Sequence, residues 1–401
     1  MALIHYREIE GRNGGFYVLL GVLGALILGG LGAAWYMEHY GHFVTGMNNR
    51  IVWGMPHVFA VFMIVAASGA LNVASIASVF GHDFYKPLAR LSGLLAMTLL
   101  AGGLAVLVLD LGRPDRLIVA MTHYNFKSIF AWNIFLYTGF FAVVGIYLWT
   151  MFERRMNGYS KRAGMFAFVW RLVLTTGTGS IFGFLVARDF YNSALLAPLF
   201  IVMSFSLGMA IFLLVLMAAC HWSGRALGDA VLQRLGRLLG IFVAAVLYFV
   251  AVHHLTNLYI ARQHDLERFF LWDGGIYPAL FWLGQILIGS ILPLVLLFNS
   301  ALCRSRRLIA AAAVCVILGG LVQLYVLIIG GQAYPQLMFP EKEVTSSFFD
   351  GVVAAYTPSL PEIMLGVGGM ALALALTIVA VKVLPFLPKG LADSDVRPAA
   401  T

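Results

Sequence analysis

The sequence predicts an all-α integral membrane protein of ten transmembrane helices, and three observations carry that prediction. Mean hydropathy is +0.90 over 401 residues, with 61% apolar against 11% charged residues, more apolar surface than one water-soluble globule can hide. Ten apolar runs each approach or exceed the ~20 residues that cross a hydrocarbon core of ~30 Å as a helix. Segments of alternating polarity are absent, and only helices and closed barrels satisfy the backbone in lipid, so the spans are helical.

In chain order, residues 1–14 form a short polar N-terminus and the first run follows at 15–37. It is too long for a signal-peptide core and lacks a small-residue cleavage site, so it is expected to be retained. Runs at 51–80 and 88–109 follow; Pro56 sits near the start of the second, and Gly112 and Pro114 stop the third. The fourth, 129–152, opens beside Asn125, Trp132 and Asn133. The fifth, 168–187, contains Arg171 and the small-residue stretch 175–180, and ends at Arg188, Asp189, Tyr191 and Asn192. Runs at 194–220, 236–260, 276–299, 307–331 and 361–386 complete the membrane domain of residues 15–386, which leaves 387–401 as a C-terminal tail.

Lys and Arg stay preferentially on the cytoplasmic side. With both termini cytoplasmic, the inner segments hold 17 of the 26 basic residues, the outer ones 8, and Arg171 lies within a span. The formal charge of +8 is thus an orientation signal, with no basic domain for nucleic acid. The expected location is a bacterial inner (cytoplasmic) membrane, crossed many times.

One outer connector departs from the general poverty in charge. Residues 109–128 hold Asp110, Arg113, Asp115, Arg116 and Lys127. Solvated charges at a helix end are one reading. Alternation of acid and base supports another, in which Asp110, Arg113, Asp115 and Arg116 fold into a compact cluster walling a pocket.

Chemistry there is bounded by what the sequence lacks. Cys220, Cys303 and Cys315 form no CxxC or CxxCH pattern, so no iron-sulfur ligation or c-type haem attachment is expected. No phosphate-binding glycine loop lies between a strand and a helix. His57 lies about six residues, ~9 Å, below the outer end of the second helix, and His253 about seven, ~10 Å, below that of the seventh. His254 neighbours the latter and Asn257 follows His253 at i+4. One such histidine is commonly a packing hydrogen bonder; two at one depth under a charged loop point to a site. His39, His42, His123 and His264 read as surface residues of outer loops. A single bis-histidine haem b is one ligand for this site. A quinone fits better, because each carbonyl needs a donor and a proton carrier while its tail needs apolar helices.

The stretches "LDLGRPDR" (109–116), "NFKSIFAWN" (125–133) and "YTPSLPEIMLGVGG" (356–369) resemble motifs of the NrfD/PsrC family of membrane quinone-interacting subunits. The length, the Tyr-x-Pro-Ser-x-x-Glu pattern and "GGQAYPQLMFPEKE" (330–343) are similar to its DsrP/HybB-type branch. The resemblance implies two four-helix bundles, helices 2–5 and 6–9, with flanking helices at the ends. It also implies a subunit without haem or iron-sulfur cluster of its own, which exchanges electrons between a quinone (menaquinone or ubiquinone) in its outer half and a periplasmic ferredoxin-like iron-sulfur subunit. Further cytochrome and cytoplasmic redox subunits would complete the complex. On this reading Asp110, Arg113 and Asp115 form the rim, Asn125 and Trp132 lie below it, His57, His253 and His254 serve the quinone head, and Asp189 links the site to water. The alternatives are a small-anion transporter using Arg113 and Arg188, or a haem b anchor subunit. The outer segment 332–360, with Phe339, Phe348, Phe349, Glu341, Glu343 and Asp350, is long for a helix connection and is expected to share a docking surface with 109–128.

Overall fold

The computed structural model describes residues 5–9, 14–336 and 351–393. Among the described residues, ten helices are long and apolar enough to cross a membrane: α1 Gly14–Tyr40, α2 Met55–Ser78, α3 Asp83–Leu109, α4 Ile129–Phe152, α5 Arg154–Gly183, α6 Leu196–Ser223, α7 Asp229–Tyr259, α8 Ile276–Phe298, α9 Arg306–Ala333 and α10 Leu360–Val383. Each coincides with an expected run. The largest boundary difference is α5, which starts at Arg154 where the apolar run starts at 168, because the helix continues through Lys161 and Arg162 beyond the hydrocarbon.

The two bundles are present. Helices α2–α5 pack as one and α6–α9 as the other, joined along α2 and α5 against α6. Helix α10 lies on α3 and α2, and α1 lies on α10. Central α2 is almost wholly buried, while α1 is mostly exposed along its length, as expected of a helix with lipid on most sides. At the α2–α6 crossing the backbones nearly touch: a Cβ on Gly208 would fall 2.1 Å from the Ala70 nitrogen. Such close approach is what small residues contribute in lipid, where burial of apolar surface gives no driving force between helices.

Both described chain ends lie on one face. Strand β1, Tyr6–Arg7, pairs antiparallel with β2, Leu387–Pro388. Arg225 clamps them, donating from Nη1 to the carbonyls of Leu387 (3.1 Å) and Pro388 (2.9 Å) and from Nη2 to those of Arg7 (3.0 Å) and Glu8 (2.7 Å). No strand was expected here. Ser160, at the start of α5, lies on this terminal face, whereas Ser347 falls outside the described residues. Cysteines introduced at those two positions are expected to label from opposite sides of the membrane, Ser347 from outside; labelling of both from one side would refute the orientation.

Candidate functional site

The site lies on the face opposite the chain ends and is built from three helix ends. Helix α2 starts after Gly54 with Pro56 in its first turn, where a missing N–H costs nothing, and this start carries His57. Asp110 caps the end of α3, its N–H bonded to the Val106 carbonyl. Gly112 then turns the chain at φ +67°, with the His42 ring 3.2 Å from where a Cβ would be. A side chain there would be strained and would press on His42.

These elements put a carboxylate between two imidazoles. Asp110, whose side chain is 6% exposed, faces His57 Nδ1 at 3.8 Å through Oδ2 and His42 Nε2 at 3.8 Å through Oδ1. Both distances exceed a hydrogen bond, and buried His42 Nε2 and Asp110 Oδ1 have no hydrogen-bond partner. Orphaned buried polar atoms are rare and costly unless something else satisfies them. The Asp110 carboxylate raises the His42 pKa above the ordinary histidine value, against the opposing effect of partial burial. His42 is therefore part of this cluster, half-buried against Asp110, and not a plain surface residue.

Trp53 forms the wall. Its ring stacks on His57 at 5.4 Å between centroids and 11° between planes, and meets Phe130, Phe182 and Tyr191. Gln332 fixes its backbone by accepting from Val52 N (3.0 Å) and Trp53 N (3.1 Å) and donating to Trp53 O (3.0 Å). Arg188 donates to the Gln332 and Arg50 carbonyls at 3.1 and 2.9 Å. Beneath, Glu362 is fully buried and accepts from Gly46 N (2.9 Å), Ser359 N (2.7 Å) and Tyr356 Oη (2.6 Å), while Tyr356 Oη accepts from Met55 N (2.6 Å). The Tyr-x-Pro-Ser-x-x-Glu pattern is thus a clasp in which Glu362 reaches back to the Ser359 N–H at the start of α10 and ties the 41–54 connector and the start of α2 to it.

The other expected residues divide by position. Arg113 and Asp115 bond each other twice, Nε to Oδ1 and Nη2 to Oδ2, each at 3.1 Å, with both side chains mostly exposed. The compact four-residue cluster expected from alternation does not form: Asp110 turns inward to the histidines, and the pair stays at the surface. Asn125 is exposed and shapes a turn, accepting from Lys127 N at 3.0 Å. Trp132 is exposed at 46% and donates to the Phe126 carbonyl. Asp189 is exposed in the α5–α6 connector.

His253 and His254 form a second cluster, inside the other bundle. His253 is buried, with Ser193 Oγ 3.4 Å from Nδ1 and Asn257 Nδ2 3.5 Å from Nε2. His254 Nδ1 lies 2.6 Å from Oε2 of fully buried Glu267, whose Oε1 accepts from Asn257 at 2.8 Å. A cavity of about 30 Å³ adjoins both histidines together with Gln285 and Gln323, room for a water molecule or two. Trp53, Tyr191 and Phe190 stand in series between the clusters, since Phe190 meets His253 at 5.6 Å. Equal depth therefore does not join His57 to His253, which belong to separate clusters with these rings between them. Among the described residues, no group of three or more His, Cys, Asp or Glu is placed to hold a metal ion.

A quinone head fits the first cluster by the chemistry of its donor set: two imidazoles, a carboxylate, two orphaned polar atoms and a flat aromatic wall. Of this cluster the sequence points to His57 and Asp110, but not to His42, Trp53 or Gln332, nor to the contacts of Tyr356 and Glu362. The Trp-Gly-Met-Pro-His order of 53–57 was the one local signal.

Known proteins share this sequence pattern across most of its length. The sequence model of the family described as "Polysulphide reductase, NrfD" matches residues 43–336. The protein is 28% identical to the Hdr-like menaquinol oxidoreductase integral membrane subunit of Archaeoglobus fulgidus, over 98% of this chain and 99% of that one. It is 28% identical to a putative membrane subunit of dimethyl sulfoxide reductase from Halobacterium salinarum, over 91% and 90%. With the integral membrane subunit of menaquinone reductase from Nitratidesulfovibrio vulgaris it shares 23% identity over 78% and 81%.

Proposed function

We propose, from the premise that this chain belongs to the polysulphide reductase NrfD family, that it exchanges electrons and protons with a membrane quinone at the His42–His57–Asp110 cluster. Family and relatives make it a multi-pass membrane subunit of a redox complex. The observation that carries the finer reading is the buried Asp110 carboxylate facing two imidazoles with polar atoms left unbonded. Menaquinone is the favoured quinone, because the names of two relatives specify a menaquinol oxidoreductase and a menaquinone reductase.

When bound, a quinone supplies two-electron, two-proton chemistry. His57 and His42 would hold or pass a proton next to the oxygen that gains or loses it, and the Asp110 carboxylate between them orients both rings. Trp53 holds the His57 ring parallel to its own, and the clasp of Tyr356 and Glu362 keeps both on their helix starts. Protons leave or enter through the half-exposed edge at His42 on this outer face.

Electrons pass to a ferredoxin-like iron-sulfur subunit docked over the same face, with cytochrome and cytoplasmic subunits completing the complex. Support comes from the apolar side chains that the 109–128 connector exposes, Ile118 at 62%, Val119 at 54% and Phe126 at 65%, beside the Arg113–Asp115 pair. The other half of the expected docking surface, with Phe339, Phe348, Phe349, Glu341, Glu343 and Asp350, falls outside the described residues. Its flanks are joined, Gly351 N bonding to Gln336 O at 3.3 Å and Ala354 N to Ala333 O at 3.0 Å.

Solvent extraction and an optical spectrum of the purified chain test this reading. A quinone recovered at roughly one per chain, without a haem band, is expected; a haem band without quinone would favour the anchor-subunit reading instead.

A further inference from the structure

We propose that Arg171 is an ionic plug, a fixed positive charge at mid-depth that keeps the first bundle closed to protons. The guanidinium sits within α5 at 3% exposure. Nη1 donates to the Ser68 carbonyl at 3.1 Å and to Asn72 Oδ1 at 2.5 Å, while Nε has no acceptor. The rings of Phe168 and Phe205 each lie 5.0 Å from its central carbon. No Asp or Glu among the described residues forms an ion pair with it. An unpaired buried cation in a membrane-spanning bundle is costly, and packing alone would be served better by an apolar or neutral side chain.

The surroundings show what the charge does. Buried hydroxyl and amide groups run along the interior of this bundle. Toward the site face, Ser68 Oγ and Thr175 Oγ1 are 2.6 Å apart, with buried Asn133 beyond them. Toward the terminal face, Asn72 bonds to the Phe205 carbonyl at 3.2 Å and Ser92 Oγ to the Ala70 carbonyl at 2.6 Å. Hydroxyl and amide groups relay protons where water joins them, and here several are held by helix carbonyls on either side of the arginine. Arg171 stands among these groups, and a guanidinium is the side chain least able to lose its charge. An excess proton ~5 Å from a fixed unit charge at an effective dielectric of ~20 is disfavoured by roughly two orders of magnitude. The same device, an arginine facing a polar path, excludes protons and cations from channels.

The inference needs no quinone chemistry, and its test needs none either. The full-length chain is reconstituted into phosphatidylcholine/phosphatidylglycerol vesicles holding a trapped pH dye. A potassium gradient with valinomycin then sets an inside-negative potential, and proton entry is followed. Wild type is expected to leak no more than protein-free vesicles. Arg171→Gln and Arg171→Met, in forms that elute and melt as wild type does, are expected to leak at least about ten-fold faster, and Arg171→Lys, which keeps a cation, is expected to stay tight. A folded Gln or Met variant as tight as wild type would overturn the proposal and leave Arg171 as a packing residue. So would a leaky wild type. Should neither neutral variant fold, a folded but leaky Arg171→Lys would overturn it as well.

Discussion

Exchanging His57 for alanine is expected to lower quinone turnover of the assembled complex by about 10²- to 10⁴-fold, the range that removing a positioned acid-base group produces. The complex should still assemble. The His57 side chain is partly exposed at the start of α2 and contributes a stacking contact with Trp53, worth on the order of 1 kcal/mol, and no hydrogen bond that holds helices together. Asp110 would retain His42 as its remaining partner. Because Asp110 raises the His42 pKa, His42 keeps its proton to higher pH than a free histidine, and its favourable pairing is complete below the unfolded-state pKa and fades as pH rises through the folded one. Residual turnover of the variant should accordingly fall on the alkaline side. Unchanged turnover by an intact complex would return His57 to the helix-packing reading.

Removing the Glu362 carboxylate is expected to have the largest effect on stability. Glu362→Ala strands three donors, Gly46 N–H, Ser359 N–H and the Tyr356 hydroxyl, and each buried donor left alone costs ~1–3 kcal/mol. A loss of several kcal/mol should lower the apparent melting temperature by on the order of 10 °C. Turnover should fall with it, since the released 41–54 connector carries both His42 and Trp53. Tyr356→Phe, which removes one link, should give a smaller shift in the same direction. A melting curve for Glu362→Ala that overlays wild type would mean that α10 and the connector are held by packing alone.

The ten helices and their grouping were legible because hydrocarbon imposes a length and a composition on every span, and both are written in the residues. The candidate site was legible only in part. Asp110 stood out as a charge at an apolar helix end. Arg113 and Asp115 were grouped with it by adjacency, but the turn at Gly112 sends their side chains to the surface. His57 and His253 were paired by counting residues from helix ends, which gives depth but not direction around the helix, and the two point into different bundles. His42 looked like a loop residue because the contacts that fix its loop come from Tyr356 and Glu362, more than 300 positions away in the chain. No local pattern announces a partner at that distance. The transporter alternative drew on Arg113 and Arg188, but Arg113 is paired with Asp115 at the surface and Arg188 donates to the Gln332 and Arg50 carbonyls.

The packing of α1 on α10, with the β1–β2 pair and Arg225 closing the ends, has a meaning in time. Helix α1 receives its main partner only when α10, more than 300 residues later, has emerged. At ~5–20 residues per second, α1 spends tens of seconds in the bilayer with its α10-facing side against lipid. Its sequence suits that wait, since Gly14–Tyr40 carries one acidic residue, Glu38, and no lysine or arginine, so nothing in it is costly to leave unpartnered. The strand pair can close only after residues 387 and 388 have been made, so a subunit truncated before them would leave β1 unpaired and the Arg225 clamp half empty.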